Sequence, residues 1–170
     1  MGYRAENLLR LLKAATPTIL GLIGVILLAT PVRLAEGWLP TPIIPLLVVF
    51  FWSIYSPDYM PSVSVFIIGL LQDLLTGGPL GLWALVYLTT QYVVMSQRSY
   101  FLGREQRVVW LGFTMAAISA SILLWLVMNL MSGAILPVRA LIVQMIATVL
   151  IYPLFGMAFR QLHRRVLVEA

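Results

Sequence analysis

Cysteine is absent from the chain, and histidine occurs once, at His163. The lack of cysteine excludes disulfides, thiolate metal sites and cysteine nucleophiles. Charge is also scarce, because 10% of the residues are Asp, Glu, Lys or Arg, whereas an ordinary soluble domain carries about 25%. A chain with so few charged groups cannot cover its surface for water, so we expect hydrocarbon to surround it. No Ser-His-Asp set, metal motif or phosphate loop can be assembled, so we expect neither enzyme activity nor a cofactor.

Long uncharged stretches take the place of the missing charge. They predict membrane-spanning helices, because one Asp, Lys or Arg at the bilayer centre is unfavourable by about 2.5 to 3.5 kcal/mol. We therefore predict an all-α membrane protein with a single domain over residues 1–170 and a six-helix bundle over residues 16–159. The predicted helices cover residues 16–33, 43–57, 62–76, 80–97, 108–131 and 137–159.

The two ends of the chain are basic. Residues 1–15 predict an amphipathic segment on the cytoplasmic surface, because leucines recur at helical spacing between residues that can meet phosphate headgroups. The alternative is that this segment simply continues the first spanning helix. Residues 160–170 predict a basic cytoplasmic tail.

The distribution of arginine and lysine predicts the orientation, because these residues favour cytoplasmic loops. With six spans, one side of the membrane holds only Arg33 and Arg139. The other side holds Arg4, Arg10, Lys13, Arg98, Arg104, Arg107, Arg160, Arg164 and Arg165. We therefore predict that both termini are cytoplasmic. Basic residues so placed suit anionic lipid, and the pI of about 10.0 does not require a nucleic-acid partner.

The most distinctive segment runs from Gly69 to Gly81 and reads GLLQDLLTGGPLG. Glycine allows the backbone to turn with positive φ, and proline can open a helix because its missing N–H is not needed there. The segment therefore predicts a tight hairpin between the third and fourth helices, with Thr76-Gly77-Gly78-Pro79 as the turn.

Asp73 lies just before this turn, and three interpretations of it are open. A carboxylate near the end of a membrane helix normally faces protein or water. The first interpretation is a cation or proton site with Gln72 as a second oxygen ligand, although one carboxylate and one amide make a poor cage. The second is a hydrogen bond or ion pair that fixes the hairpin, with Arg139 as the proposed partner. The third is solvation at the membrane interface.

A family resemblance rests on this segment. Residues 67–85, with Ile44-Pro45-Leu46-Leu47 and Trp52 before them, resemble the central signature of the bacterial rod shape-determining protein MreD family. The resemblance implies a non-enzymatic membrane scaffold subunit of the cell-wall elongation machinery, located in the bacterial inner membrane, that helps to maintain rod cell shape. It assigns a structural role to Asp73, Gly77 and Gly81.

The same resemblance implies partners and a fold. The partners are MreC, bound through its membrane span, together with MreB, RodA and a class B penicillin-binding protein. The fold is similar to the six-helix substrate-binding component of energy-coupling-factor vitamin transporters.

That likeness leaves a second function open, a small-molecule binding or transport component. Such a site needs converging polar groups, and the candidates are Gln72, Asp73, Asn129, Arg139 and Gln144. A lipid-processing enzyme would need clustered acids or histidines, which the sequence lacks.

Overall fold

The computed structural model describes residues 2–29, 41–133 and 137–163, and within these ranges it describes the side chains of residues 15–161. Each of the six predicted helices corresponds to one long helix, so the all-helical prediction is confirmed. A 3-10 turn at Pro57–Tyr59 follows the second helix. The helices are α1 (Gly2–Ala29), α2 (Ile44–Tyr55), α3 (Ser62–Thr76), α4 (Leu82–Ser96), the short α5 (Arg98–Phe101), α6 (Gln106–Ser132) and α7 (Arg139–His163).

The N-terminal segment differs from the leading prediction. Residues 1–15 were predicted as a separate surface helix, but α1 runs without a break from Gly2 to Ala29, with Pro17 inside it. The backbone of the segment is therefore continuous with the helix of the first predicted span, as in the alternative interpretation. Residues 30–33 at the far end of the predicted span, and residues 164–170 of the predicted basic tail, lie outside the described part of the chain.

The helix α2 forms the centre of the bundle. All ten residues from Pro45 to Ile54 are buried, and α2 packs against α1, α4, α6 and α7. Its 12 residues span about 18 Å at 1.5 Å per residue, less than the hydrocarbon thickness of about 30 Å. A helix surrounded by other helices does not need to match that thickness, because its side chains meet protein.

Side chains from neighbouring helices hold both ends of α2. At its start, the Thr148 hydroxyl of α7 accepts a hydrogen bond of 3.0 Å from the Ile43 N–H. At its end, the Arg98 guanidinium of α5 donates to the Ile54 carbonyl at 2.7 Å. Backbone groups at helix ends have no partner within their own helix, so these bonds fix where the central helix begins and ends.

Aromatic rings fill the space around α2. Phe50 lies in edge-to-face contact with Phe113 of α6 at 5.1 Å and with Tyr152 of α7 at 5.9 Å between ring centroids. Phe113 and Tyr152 stack on each other at 4.4 Å. Aromatic pairs of this kind contribute roughly 0.5 to 1.5 kcal/mol each beyond the burial of their area, so the three rings join α2, α6 and α7.

The outward faces of the helices are apolar. On α6, Met115 and Leu130 are 72% and 82% exposed, and on α7 Leu150 is 65% exposed. Two helical stretches, Gln106–Ser132 and Arg139–Gln161, are long and apolar enough to cross a membrane, while the apolar parts of α1 to α4 are shorter. Exposed apolar surface of this extent is typical of contact with lipid or with a partner protein.

Candidate functional site

The turn between α3 and α4 depends on two glycines. Gly77 ends α3 with φ 69°, and its N–H donates a 3.1 Å hydrogen bond to the Asp73 carbonyl. Gly81 precedes α4 with φ 91°. Only glycine adopts positive φ at little cost, so these positions allow the chain to reverse within the few residues between the two helices.

The Asp73 side chain joins the two helices. It is 1% exposed, and its Oδ2 accepts a hydrogen bond of 2.8 Å from the Gly81 N–H while its Oδ1 accepts one of 2.9 Å from the Trp83 N–H. The donors are the N-cap residue of α4 and a residue of its first turn, where N–H groups lack helical partners and carry partial positive charge. The carboxylate of α3 therefore caps the N-terminus of α4.

This geometry corrects the predicted pairing of Asp73 with Arg139. Arg139 is exposed at the first residue of α7, and no ion pair joins it to Asp73 among the described residues. The physical reason is that the free N–H groups of α4 lie within ten residues of the carboxylate along the chain and supply its hydrogen bonds directly. A hydrogen bond that fixes the hairpin is therefore the interpretation of Asp73 that the geometry favours.

Gln72 supplies a second link between α3 and α4. The side chain is fully buried, and its Oε1 accepts a hydrogen bond from the Tyr87 hydroxyl. The Thr76 hydroxyl donates to the Gln72 backbone oxygen at 2.7 Å. The side-chain oxygen considered as a cation ligand is therefore occupied by a phenol, and the sequence contained no signal for Tyr87 as its partner.

Gly69 allows the closest approach of the two helices. A Cβ atom at Gly69 would lie 2.8 Å from the Trp83 carbonyl carbon and closer still to the Ala84 Cα. Backbone atoms cannot move aside as a flexible side chain can, so any larger residue would push α4 away. The sequence signal was a glycine within an apolar helical pattern, a feature that often has a packing reason.

The polar residues proposed for a small-molecule site line neither of two cavities among the described residues. These are open cavities of about 370 Å³ between α4 and α6 and about 280 Å³ between α6 and α7. Both are lined mainly by apolar side chains, and none of the five candidates lines either one. Gln144 instead donates to the Thr41 carbonyl at 3.0 Å. Within the described ranges, no group of three or more His, Asp or Glu residues could hold a metal ion.

Comparison with known proteins identifies the family. The family described as rod shape-determining protein MreD matches residues 9–162, a range that includes the hairpin and every helix from α2 to α6. Comparisons with curated proteins and with solved structures give no match. The chain therefore belongs to the MreD family, whose members are membrane proteins that determine rod cell shape.

Proposed function

We propose that this chain is a non-enzymatic scaffold subunit of the bacterial cell-wall elongation machinery and that it binds MreC in the inner membrane. The observation that carries the proposal is the family match over residues 9–162. The hairpin adds to it, because the one buried carboxylate among the described residues has both oxygens engaged by backbone N–H groups. A carboxylate held in this way by two backbone hydrogen bonds stabilises the hairpin.

The proposal includes a six-span topology with both termini in the cytoplasm. The apolar outer faces of α6 and α7 support a lipid environment. The basic residues Arg98, Arg104 and Arg107 cluster between α4 and α6, which supports a cytoplasmic position for that connection. At the cytoplasmic surface these arginines would contact anionic lipid. They would also face the compartment that contains the MreB filament. We also propose that the bundle has the fold of the substrate-binding component of energy-coupling-factor vitamin transporters, as the family resemblance implies.

MreC is the partner most directly suited to the apolar outer faces of the bundle, because a single-span protein brings one apolar helix to them. Without a hydrophobic driving force between helices, association in lipid depends on close packing against small residues. The helix α7 offers such residues, with Ala140 and Ala147 at least partly accessible on its surface. RodA and a class B penicillin-binding protein would then bind the complex of this chain with MreC.

Retention of MreC by the purified chain tests the proposal. The tagged chain is co-expressed with native MreC, or with MreC whose membrane span has been replaced by an unrelated apolar helix of equal length. We expect native MreC to be retained through purification in nanodiscs and the span-replaced form to be lost, because helix packing depends on shape as well as on apolarity.

Two results would count against the proposal. If neither form of MreC is retained, the scaffold function has no support. If both forms are retained equally, the contact does not involve the MreC span. An Asp58→Asn variant is a suitable control, because Asp58 is exposed in the turn after α2 and its loss should leave retention unchanged.

A further inference from the structure

The larger cavity is a groove between α4 and α6 that the packing of the hairpin leaves open. On α6 its wall includes the small residues Gly112, Ala116 and Ser119 beside larger apolar side chains, and on α4 it includes Val93. Val93 is 53% exposed, so the groove opens to the outside of the bundle. Its volume is about 370 Å³. The groove is distinct from the Asp73 hairpin, since neither Gln72 nor Asp73 lines it.

An aromatic ring closes one end of the groove, and a basic side chain lies beyond it. Phe101 of α5 lines the groove and packs on Gly112. The Phe101 ring contacts the Tyr100 ring at 5.5 Å, and the Arg104 guanidinium lies over Tyr100, 5.3 Å from the ring centroid. Arg107 is exposed at the start of α6. An apolar groove thus ends at a ring that Tyr100 connects to the Arg104 guanidinium, with Arg107 three residues further along the chain, at the end of the bundle that the positive-inside rule places in the cytoplasm.

The size of the groove favours a hydrocarbon chain over a polypeptide helix. A helix about 10 Å in diameter occupies roughly 400 Å³ per turn, so the groove could take no more than about one turn. A methylene group needs roughly 30 Å³, about the share of a water molecule, so the same space holds about twelve carbons of an acyl chain. The apolar wall and the basic end also match the two parts of an anionic phospholipid.

We infer that this groove binds one acyl chain of an anionic phospholipid from the cytoplasmic leaflet, whose phosphate is held by Arg104 and Arg107. The acyl chain lies against Val93, Ala116 and Ser119, and the headgroup meets the two arginines beyond the Phe101 ring. Each arginine near the membrane surface attracts anionic lipid by about fivefold in affinity. The inference goes beyond scaffolding of MreC, since it requires only that the protein lies in a membrane.

Native mass spectrometry of the full chain in detergent tests the inference with three probes. These are phosphatidylglycerol, phosphatidylethanolamine with the same acyl chains, and glycerol phosphate as the headgroup alone. We expect one phosphatidylglycerol to be retained at least about tenfold more strongly than phosphatidylethanolamine, because two arginines contribute. Glycerol phosphate should not be retained, because it has no chain to place in the groove.

Paired variants separate the groove from the charge. Ala116→Phe fills the groove and should lower the retention of both lipids about tenfold, whereas Leu126→Phe, at an exposed position of α6 outside both cavities, should behave as wild type. The double variant Arg104→Gln and Arg107→Gln should reduce phosphatidylglycerol to the level of phosphatidylethanolamine. Arg139→Gln, an exposed arginine at the start of α7, should change neither lipid. If Ala116→Phe does not fold, Val93→Trp blocks the opposite wall.

Several results would overturn the inference. If the wild-type protein retained the two lipids equally, the arginines would not contribute to binding. If it retained glycerol phosphate strongly, binding would not require the groove. Unchanged lipid retention in both Ala116→Phe and Val93→Trp would also contradict it. If a synthetic single-span peptide displaces phosphatidylglycerol and Ala116→Phe blocks that peptide, the groove is a site for a protein helix instead.

Discussion

At the scale of single residues, Asp73 shows which part of a buried polar site could be predicted. The sequence indicated that a carboxylate beside a glycine turn would be functionally or structurally constrained, and the structure buries it. Its partner could not be predicted, because a formal charge suggests an arginine whereas the structure supplies backbone N–H groups of Gly81 and Trp83. Backbone donors are invisible in a sequence, since every residue except proline carries one.

The variant Asp73→Asn tests this cap. The amide keeps one acceptor oxygen but places N–H donors against the N-terminus of α4, so we expect the free energy of unfolding to fall by about 2 to 3 kcal/mol. Asp73→Ala should cost at least as much. The measurement is reversible unfolding in mixed micelles, with Asp58→Asn as the matched control at an exposed acid, which should stay within about 0.5 kcal/mol of wild type.

An opposite outcome for Asp73→Asn has a clear meaning. If the variant is as stable as wild type but no longer restores rod shape in cells that lack the protein, Asp73 would be a proton or cation site. That result would restore the first interpretation of this residue and remove the structural one.

At the scale of elements, the sequence predicted where each helix begins and ends better than it predicted which helices pack against each other. The third helix was predicted over residues 62–76 and lies at Ser62–Thr76, because proline, glycine and uncharged stretches mark helix ends. The central position of α2 could not be predicted. In lipid both the interior and the outer surface of a bundle are apolar, so hydrophobicity alone does not separate a buried helix from a lipid-facing one. The length of α1 was not predicted either, because residues 1–15 were set apart on their leucine spacing and basic residues, whereas the helix runs from Gly2 to Ala29.

Gly69→Ala tests the contact between α3 and α4. The added Cβ would meet the backbone of Trp83 and Ala84, so we expect a loss of about 1 to 3 kcal/mol in the free energy of unfolding, as for other overpacked interiors. Gly78→Ala is the matched control within the same hairpin, because its Cβ would have only the Thr76 hydroxyl nearby, at 3.9 Å. Wild-type stability of Gly69→Ala in mixed micelles would show that the two helices are not held this closely.

At the scale of the whole molecule, one proposed arrangement in the membrane accounts for the hairpin, the exposed apolar faces and the basic connection. In that arrangement the turn around Gly77 and Gly81 is at the outer surface, and the Arg98–Arg107 connection is at the inner surface. Composition predicted the membrane environment, because scarcity of charge is a property of the whole chain. The sequence contained little about how the six helices pack, since that depends on contacts such as the Phe113 and Tyr152 stack.

Site-directed thiol labelling tests this arrangement most directly. The chain has no cysteine, so a single introduced thiol is the only one that can react. Gly78→Cys lies in the hairpin turn and Ser99→Cys in α5, and both positions are exposed. A membrane-impermeant maleimide added to intact spheroplasts should label Gly78→Cys, whereas Ser99→Cys should react only after the membrane is permeabilised. Labelling of both thiols from the same side, or in the reverse order, would contradict the account.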